Sequence, residues 1–200
     1  MLFRSYSSNL PFSNMYVAKK LAEIIPDRSV LHLAILSSTR TMQFFDLKPN
    51  VKVYSNIGAL GIDGCMSSFF GQASATDELA FCVVGDLSFF YDQNALWNKN
   101  IGGNLKILLL NNGGGAIFGK FEGLKGSDAR DNLVMAKHDT SAAGICMANH
   151  INHIEAFNAE TLEAGLDKLI NMKSDKPTLL EVFTDAENDM NVIKEYYTSI

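Results

Sequence analysis

The chain has 200 residues, of which 47% are hydrophobic and 20% are charged, a balance that suits one globular domain with a sizeable core. A formal net charge of −5 leaves no basic footprint for nucleic acid, so small molecules and other proteins are the expected partners. No apolar run reaches the roughly 18 residues of a membrane span, and residues 1–12 lack the apolar centre of a secretion signal. Three widely spaced cysteines predict buried free thiols and a cytoplasmic setting.

The first half of the chain alternates between helix and strand signals. Ser13 is a candidate N-cap for a helix that Pro26 ends. The apolar runs SVLHLAIL and VKVY predict two strands, and ELAFCVVG predicts a third. DGCMSSFFGQASA predicts a helix between them, and YDQNALWN predicts another that packs Trp97 into the core.

The second half continues the alternation. LKILLL is the plainest buried strand, and a long glycine-rich loop that begins NNGGG follows it. TSAAGICMANH, ETLEAGLDKLINMK and AENDMNVIKEYY predict helices, whereas HIEAF and PTLLEVF predict strands. Strands of continuous Val, Ile and Leu are buried on both faces, which is typical of a parallel sheet between helices. The sequence therefore predicts one α/β domain over residues 1–200, with three α/β/α layers and a mainly parallel sheet.

Polar residues follow the predicted strands at their carboxyl ends, where open parallel sheets bind ligands. Ser37 and Ser38 follow the first of these strands, Asp86 the third, and Asn112 follows LKILLL. Carboxylate and amide oxygens suit Mg²⁺, and the glycines after Asn112 let backbone groups approach a diphosphate. A plainer interpretation is that Asp86 caps the next helix and that NNGGG is a flexible loop. Their shared position favours a metal–phosphate site.

The same residues resemble a known motif. GDLS, which begins at Gly85, and NNGG, which begins at Asn111, leave 23 residues between Leu87 and Asn111 and resemble the motif of thiamine diphosphate-dependent enzymes. Upstream, SNIGALGIDG is similar to a segment of the 2-succinyl-5-enolpyruvyl-6-hydroxy-3-cyclohexene-1-carboxylate synthase family of the menaquinone pathway. The resemblance runs from about residue 14 to about residue 185, and it covers only the C-terminal, diphosphate-binding domain of that family.

The resemblance implies thiamine diphosphate and Mg²⁺ as cofactors, with Mn²⁺ as a possible replacement, and a thiamine diphosphate-binding fold. The implied metal ligands are Asp86, Asn112 and the carbonyl of Gly114. The implied cofactor contacts are Ser37, Ser38, Gly61, Ile62, Gly85, Leu87, Ser88, Gly115 and Ala116, with Ile62 as the apolar support that bends the cofactor. The implied substrate pocket comprises Arg40, Ile57, Ile117 and Phe118.

Two positions depart from the family pattern. Ile57 and Met42 stand where the family carries arginines that would bind substrate carboxylates, and Arg40 is near the second position but out of register. The expected reaction is decarboxylation of 2-oxoglutarate and addition to isochorismate. Another thiamine diphosphate-dependent 2-oxo acid decarboxylase, or an acetolactate synthase-like carboligase, stays open as an alternative. From a different class, an isolated cofactor-binding module without turnover also stays open.

The family activates its cofactor with a glutamate from a separate pyrimidine-binding domain. No residue of this chain corresponds to that glutamate, so the sequence predicts no catalytic side chain here. We therefore expect a pyrimidine-binding domain from the same enzyme or a partner subunit, a homodimer or tetramer, and an inactive isolated chain.

Overall fold

Six parallel strands form a single sheet with the order β2-β1-β3-β4-β6-β5. The computed structural model describes residues 10–124 and 126–198, so most of the segment weighed as a secretion signal lies outside the described residues. The strands are β1 (Val30–Leu33), β2 (Lys52–Ser55), β3 (Ala80–Gly85), β4 (Leu105–Asn111), β5 (Asn152–Ala156) and β6 (Thr178–Phe183).

Helices cover both faces of the sheet, as the continuous apolar strands predicted. One core forms around α3 and α5, and a second forms around α1 and α6. Because both faces are packed, β4 is buried along its whole length. The helices are α1 (Asn14–Ile24), α2 (Ser37–Met42), α3 (Cys65–Ala73), α4 (Asp86–Tyr91), α5 (Ala143–Ala148), α6 (Ala159–Asn171) and α7 (Ala186–Thr198). Shorter helical turns span Gln93–Trp97, Ala116–Lys120, Glu122–Leu124 and Arg130–Val134.

The strand order places a crevice at the carboxyl ends of the strands. The chain runs outward from β1 to β2 and then returns to the other side of β1 as β3. The connections after β1 and β3 therefore diverge, and ligands of open α/β sheets bind where such connections part. The fold class and the parallel sheet predicted from the sequence are confirmed.

Local predictions have a mixed outcome. Ser13 caps α1 by accepting a hydrogen bond from the amide of Tyr16 at 3.2 Å. The first strand ends earlier than predicted, because Leu36 takes a positive φ of 59° and turns the chain into α2. The three cysteines are buried and free, as expected. The core position predicted for Trp97 is wrong, since its side chain is 76% exposed.

None of the helices in the described ranges combines the length and the hydropathy that crossing a membrane requires.

Candidate functional site

A cavity of about 650 Å³ opens at the carboxyl ends of β1, β3 and β4. Every site residue predicted from the sequence lines it, except Arg40 and Ile57. The lining residues that the sequence predicted are Ser37, Ser38, Gly61, Ile62, Gly85, Asp86, Leu87, Ser88, Asn112, Gly114, Gly115, Ala116, Ile117 and Phe118.

Asp86 is the first residue of α4, and backbone amides hold its carboxylate in place. Oδ1 accepts a hydrogen bond from the amide of Leu87 at 2.7 Å. Oδ2 accepts from the amides of Gly114 at 2.9 Å and Asn112 at 3.2 Å. The carboxylate thus joins the end of β3 to the loop after β4. Gly85 occupies the N-cap position of α4 and no side chain caps this helix, so the plainer interpretation of Asp86 as a helix cap is wrong.

His138 lies beside the same carboxylate. Its Nε2 is 3.4 Å from Oδ2 of Asp86, and its Nδ1 accepts from the amide of Thr140 at 3.1 Å. The contact with Asp86 raises the pKa of His138, although burial opposes that shift. The imidazole therefore stands next to the candidate metal ligand without lining the cavity.

The glycine run after β4 forms a turn whose backbone conformation requires glycine. Gly113 and Gly114 have positive φ values of 76° and 143°. A Cβ at Gly113 would lie 2.9 Å from the carbonyl of His138, and one at Gly114 would lie 2.6 Å from the carbonyl of Met135. Only glycine fits these positions without strain. At Gly85, by contrast, a Cβ would meet open space, so glycine there keeps the cavity clear.

The backbone amides of the run make bonds within the protein. Gly115 donates to the carbonyl of Met135 at 2.7 Å, and Ala116 donates to the carbonyl of Gly114 at 3.0 Å. Gly114, whose carbonyl accepts the second of these bonds, and Asn112 both line the cavity. The carbonyl keeps a second lone pair for another partner.

Helix α4 also supports Ile62. The hydroxyl of Ser88 donates to the carbonyl of Ile62 at 2.7 Å. Asp92, one residue beyond α4, accepts from the amide and hydroxyl of Ser67 in the first turn of α3 at 2.7 and 2.8 Å. Ser88 therefore holds the backbone of Ile62, and Asp92 ties the end of α4 to α3. The side chain of Ile62 packs partly against the core.

Two residues predicted for the substrate pocket stand apart from the cavity. Ile57 is 57% exposed, and Arg40 is exposed on α2; neither belongs to the residues that line the cavity. Met42, at the other position where the family carries arginine, is 2% exposed and packs in the core. No described arginine therefore reaches the cavity wall in this chain.

The charge of the cavity suits a cation. Asp63 and Asp86 are its charged lining residues, and no lysine or arginine in the described part of the chain lines it. Asn112, Gly114 and the serines add neutral oxygen atoms. Oxygen donors with one or two carboxylates are the ligand set that Mg²⁺ prefers. The residues present thus fit Mg²⁺, and they would repel a bare diphosphate.

Other lining residues escaped the sequence prediction. They include Asn14 at the start of α1, Leu36 with its positive φ, and Tyr91 at the end of α4. Leu36 strains the backbone next to the cavity, where such strain is commonly found. No signal in the sequence marks these positions, because folding alone brings them to the cavity.

A second group of possible ligands lies on the edge of the sheet. His153, Glu155 and Glu181 offer ligand atoms within 4.8 Å of one another. Hydrogen bonds already occupy the buried Glu181. Its donors are Asn111, Ser141, Ala142 and His153, at 2.7 to 3.1 Å. A cation would have to displace these donors, so this group fits a structural network better than a metal site.

The parallel sheet and the cavity with oxygen donors at its strand ends define an α/β domain consistent with the thiamine diphosphate-binding type. The chain matches no protein-family profile. It is similar over nearly its whole length to proteins named 2-succinyl-5-enolpyruvyl-6-hydroxy-3-cyclohexene-1-carboxylate synthase. Identity is 38% with the protein of Phocaeicola vulgatus, where 98% of this chain aligns with 36% of the relative, and 40% with that of Bacteroides fragilis, where the shares are 94% and 34%.

A relative from a third organism carries the same name. The protein of Desulfotalea psychrophila is 37% identical over 84% of this chain and 31% of its own length. The chain thus spans about a third of the length of the curated relatives it matches. The resemblance to this synthase family, stated above from the motifs, is confirmed.

Proposed function

We propose that this chain is the diphosphate- and Mg²⁺-binding domain of a thiamine diphosphate-dependent synthase that decarboxylates a 2-oxo acid and joins it to an acceptor. The synthase name that the relatives share favours the menaquinone-pathway reaction, with 2-oxoglutarate as donor and isochorismate as acceptor. The observation that carries the proposal is a cavity at the strand ends with fixed oxygen donors and no lysine or arginine in its described lining.

The charge of this lining explains why a metal would be needed. A diphosphate carries several negative charges, and Asp86 and Asp63 would repel it. A divalent cation held by Asp86, Asn112 and the carbonyl of Gly114 would reverse the local charge. The diphosphate could then bind through the metal without a basic side chain.

The rest of the site would orient the cofactor. Ser37 and Ser38 begin a helix at the cavity, where a partial positive charge favours phosphate oxygens. Ile62, fixed from behind by Ser88, would support the bent cofactor, and Ile117 and Phe118 would keep water from the substrate side. The bound cofactor would supply the electron sink for decarboxylation.

A partner domain would complete the active site. The family places the activating glutamate on its pyrimidine-binding domain, so the proton transfer that starts catalysis needs a carboxylate from outside this chain. We expect the purified 200-residue chain to release no CO₂ from 2-oxoglutarate with saturating thiamine diphosphate and Mg²⁺. Release above a protein-free control would show that the catalytic group lies on this chain.

Substitution of Asp86 tests the binding site. In the full natural polypeptide, Asp86→Ala should abolish Mg²⁺-dependent binding of thiamine diphosphate in calorimetric titrations. A cooperative thermal transition should show that the variant still folds, although three amides lose their acceptor. Asp77→Ala is the matched control, because Asp77 is an exposed aspartate before the opposite end of the same strand. Equal affinity of the Asp86 variant and the control would refute the site.

A second candidate is a synthase or decarboxylase that prefers a monocarboxylic donor such as pyruvate. Ile57 and the buried Met42 favour it, because neither can bind the distal carboxylate of 2-oxoglutarate. A missing charge-assisted contact costs about 1.5 to 3 kcal/mol, roughly a tenfold to hundredfold difference in donor preference. Competition between the two donors should therefore favour pyruvate more than in an arginine-bearing relative. Strong preference for 2-oxoglutarate would support the first candidate and point to Arg40.

A further inference from the structure

Asp189 contacts a predicted metal ligand from outside the cavity. It lies in α7, is 4% exposed, and is not among the cavity-lining residues. Its Oδ2 accepts a hydrogen bond from Nδ2 of Asn112 at 2.8 Å, although 77 residues separate the two in sequence. The contact therefore exists only because α7 packs over the loop after β4.

The same carboxylate has two further donors. Oδ1 accepts from the amide of Asn14 at 2.7 Å, and Oδ2 accepts from the hydroxyl of Thr184 at 2.8 Å. Asp189 is thus fixed by residues that follow β4, follow β6 and begin α1. Burial is the main influence on its pKa and raises it, while these hydrogen bonds oppose the rise.

The hydrogen bond from Asn112 determines which end of its carboxamide faces Asp189. The NH₂ group of Asn112 points toward Asp189, because it is the donor to Oδ2 of that carboxyl group. The Oδ1 atom then points away from Asp189, and no donor in the described part of the chain bonds to it. A carboxamide with the opposite orientation would offer N–H groups to a cation, which cannot ligate it.

We propose that Asp189 is a positioning residue that orients Asn112 so that its Oδ1 binds the metal ion. The inference rests on the proposed function, because it takes Asn112 as a metal ligand. Residues that orient a metal ligand commonly contribute tenfold to hundredfold to metal affinity. Asp189 would act through Asn112 and would not touch the metal or the cofactor.

Replacement of Asp189 by asparagine tests the orientation while it keeps the size of the side chain. The new amide can place its NH₂ against Asn112 and remove the preference for one orientation. In the full natural polypeptide with thiamine diphosphate present, Asp189→Asn should raise the calorimetric Kd for Mg²⁺ about tenfold to hundredfold.

Two variants separate this role from a structural one. Thr184→Val removes a different hydrogen bond from Asp189, so it should lower the Tm but leave the Kd for Mg²⁺ near the wild-type value. Asp185→Asn removes a charge from an exposed position nearby and keeps an oxygen that can accept the bond from the amide of Asn188. It should change neither quantity.

An exchange of the two side chains gives the sharpest test. Asn112→Asp alone would bring two carboxylates together, whereas the double variant Asn112→Asp, Asp189→Asn restores one donor and one acceptor. The double variant should bind Mg²⁺ more tightly than either single variant, a coupling that independent sites would not show.

The outcomes distinguish the two proposals. Wild-type Mg²⁺ affinity in Asp189→Asn, an equal loss in Thr184→Val, or additive effects in the exchange would each overturn the positioning role. If the positioning role failed in this way but Asp86→Ala still abolished the binding of thiamine diphosphate, the proposed function would stand without the positioning role. If the wild-type polypeptide bound no Mg²⁺ with thiamine diphosphate, both proposals would fail.

Discussion

The two ends of strand β4 hold buried polar side chains in different ways. At the amino end, Lys106 is 1% exposed, and the hydrogen bond of its Nζ to the carbonyl of Met172 is 3.4 Å long. At the carboxyl end, Asn111 donates to Glu181 at 2.7 Å, and Asn112 donates to Asp189 at 2.8 Å. The amino end thus gives the buried ammonium group of Lys106 only one long hydrogen bond, whereas the carboxyl end holds each side-chain amide with a short hydrogen bond to a carboxylate.

This difference indicates which end is built for ligand binding. Burial of polar groups costs free energy unless hydrogen bonds replace water. At the carboxyl end the hydrogen bonds have definite directions: Oδ1 of Asn111 accepts from the amide of Gly113, and Asn112 lines the cavity. At the amino end the long contact holds Lys106 in no strict geometry, and burial lowers the pKa of its ammonium group. Substitutions at the two ends should therefore have opposite effects on stability.

The largest effect is expected at Gly114, in the turn after the carboxyl end. Gly114→Ala would add backbone strain to an overlap with the carbonyl of Met135, so we expect a loss of roughly 2 to 6 kcal/mol in the free energy of unfolding. Gly71→Ala is the control, since a Cβ there meets open space in α3 and should stabilise the helix by about 0.5 to 1 kcal/mol. Chemical denaturation measures the free energy of unfolding of both variants. A small loss for Gly114→Ala would mean that the turn can change conformation at little cost and would contradict the prediction.

A smaller loss is expected when Glu181 changes. Burial alone would raise the pKa of Glu181, but hydrogen bonds led by that from His153 outweigh it and hold the pKa below 4.5. Glu181→Gln places an NH₂ group among these donors and should cost about 1 to 3 kcal/mol at pH 7. Glu155→Gln, at an exposed position of the same cluster, should change stability by at most about 0.5 kcal/mol.

The pH dependence checks the same carboxylate. Because the folded pKa is depressed, Glu181 contributes stability above pH 4.5 and loses it as the pH falls through the folded value. The difference in the free energy of unfolding between the wild type and Glu181→Gln should therefore become smaller below pH 4.5. A constant gap down to low pH would show that the ionised form contributes nothing.

The sequence predicts the sheet and most of the cavity because both depend on local patterns. Apolar runs such as LKILLL indicate buried parallel strands, and the polar residues after them meet at one edge by topology alone. Asp189 could not be predicted, since only the packing of α7 brings it to Asn112. Glu181 and Lys106 left a usable signal, because each is an ionisable residue inside an otherwise apolar strand.

The smallest effect is expected at the amino end of β4. Lys106→Met keeps most of the side-chain volume and removes an ammonium group that burial destabilises, so the free energy of unfolding at pH 7 should rise by about 0.5 to 2 kcal/mol. The pKa of Lys106 is lowered from 10.5 in the fold, so the penalty is complete below the folded pKa and disappears above 10.5. The stability gained from methionine should therefore become smaller as the pH rises toward 10.5.

Lys173→Met, at an exposed position next to Met172, is the control and should leave the free energy of unfolding within about 0.5 kcal/mol of the wild type. A clear loss of stability in Lys106→Met would show that the bond to the carbonyl of Met172 stabilises the fold, and the contrast between the two ends would then fail.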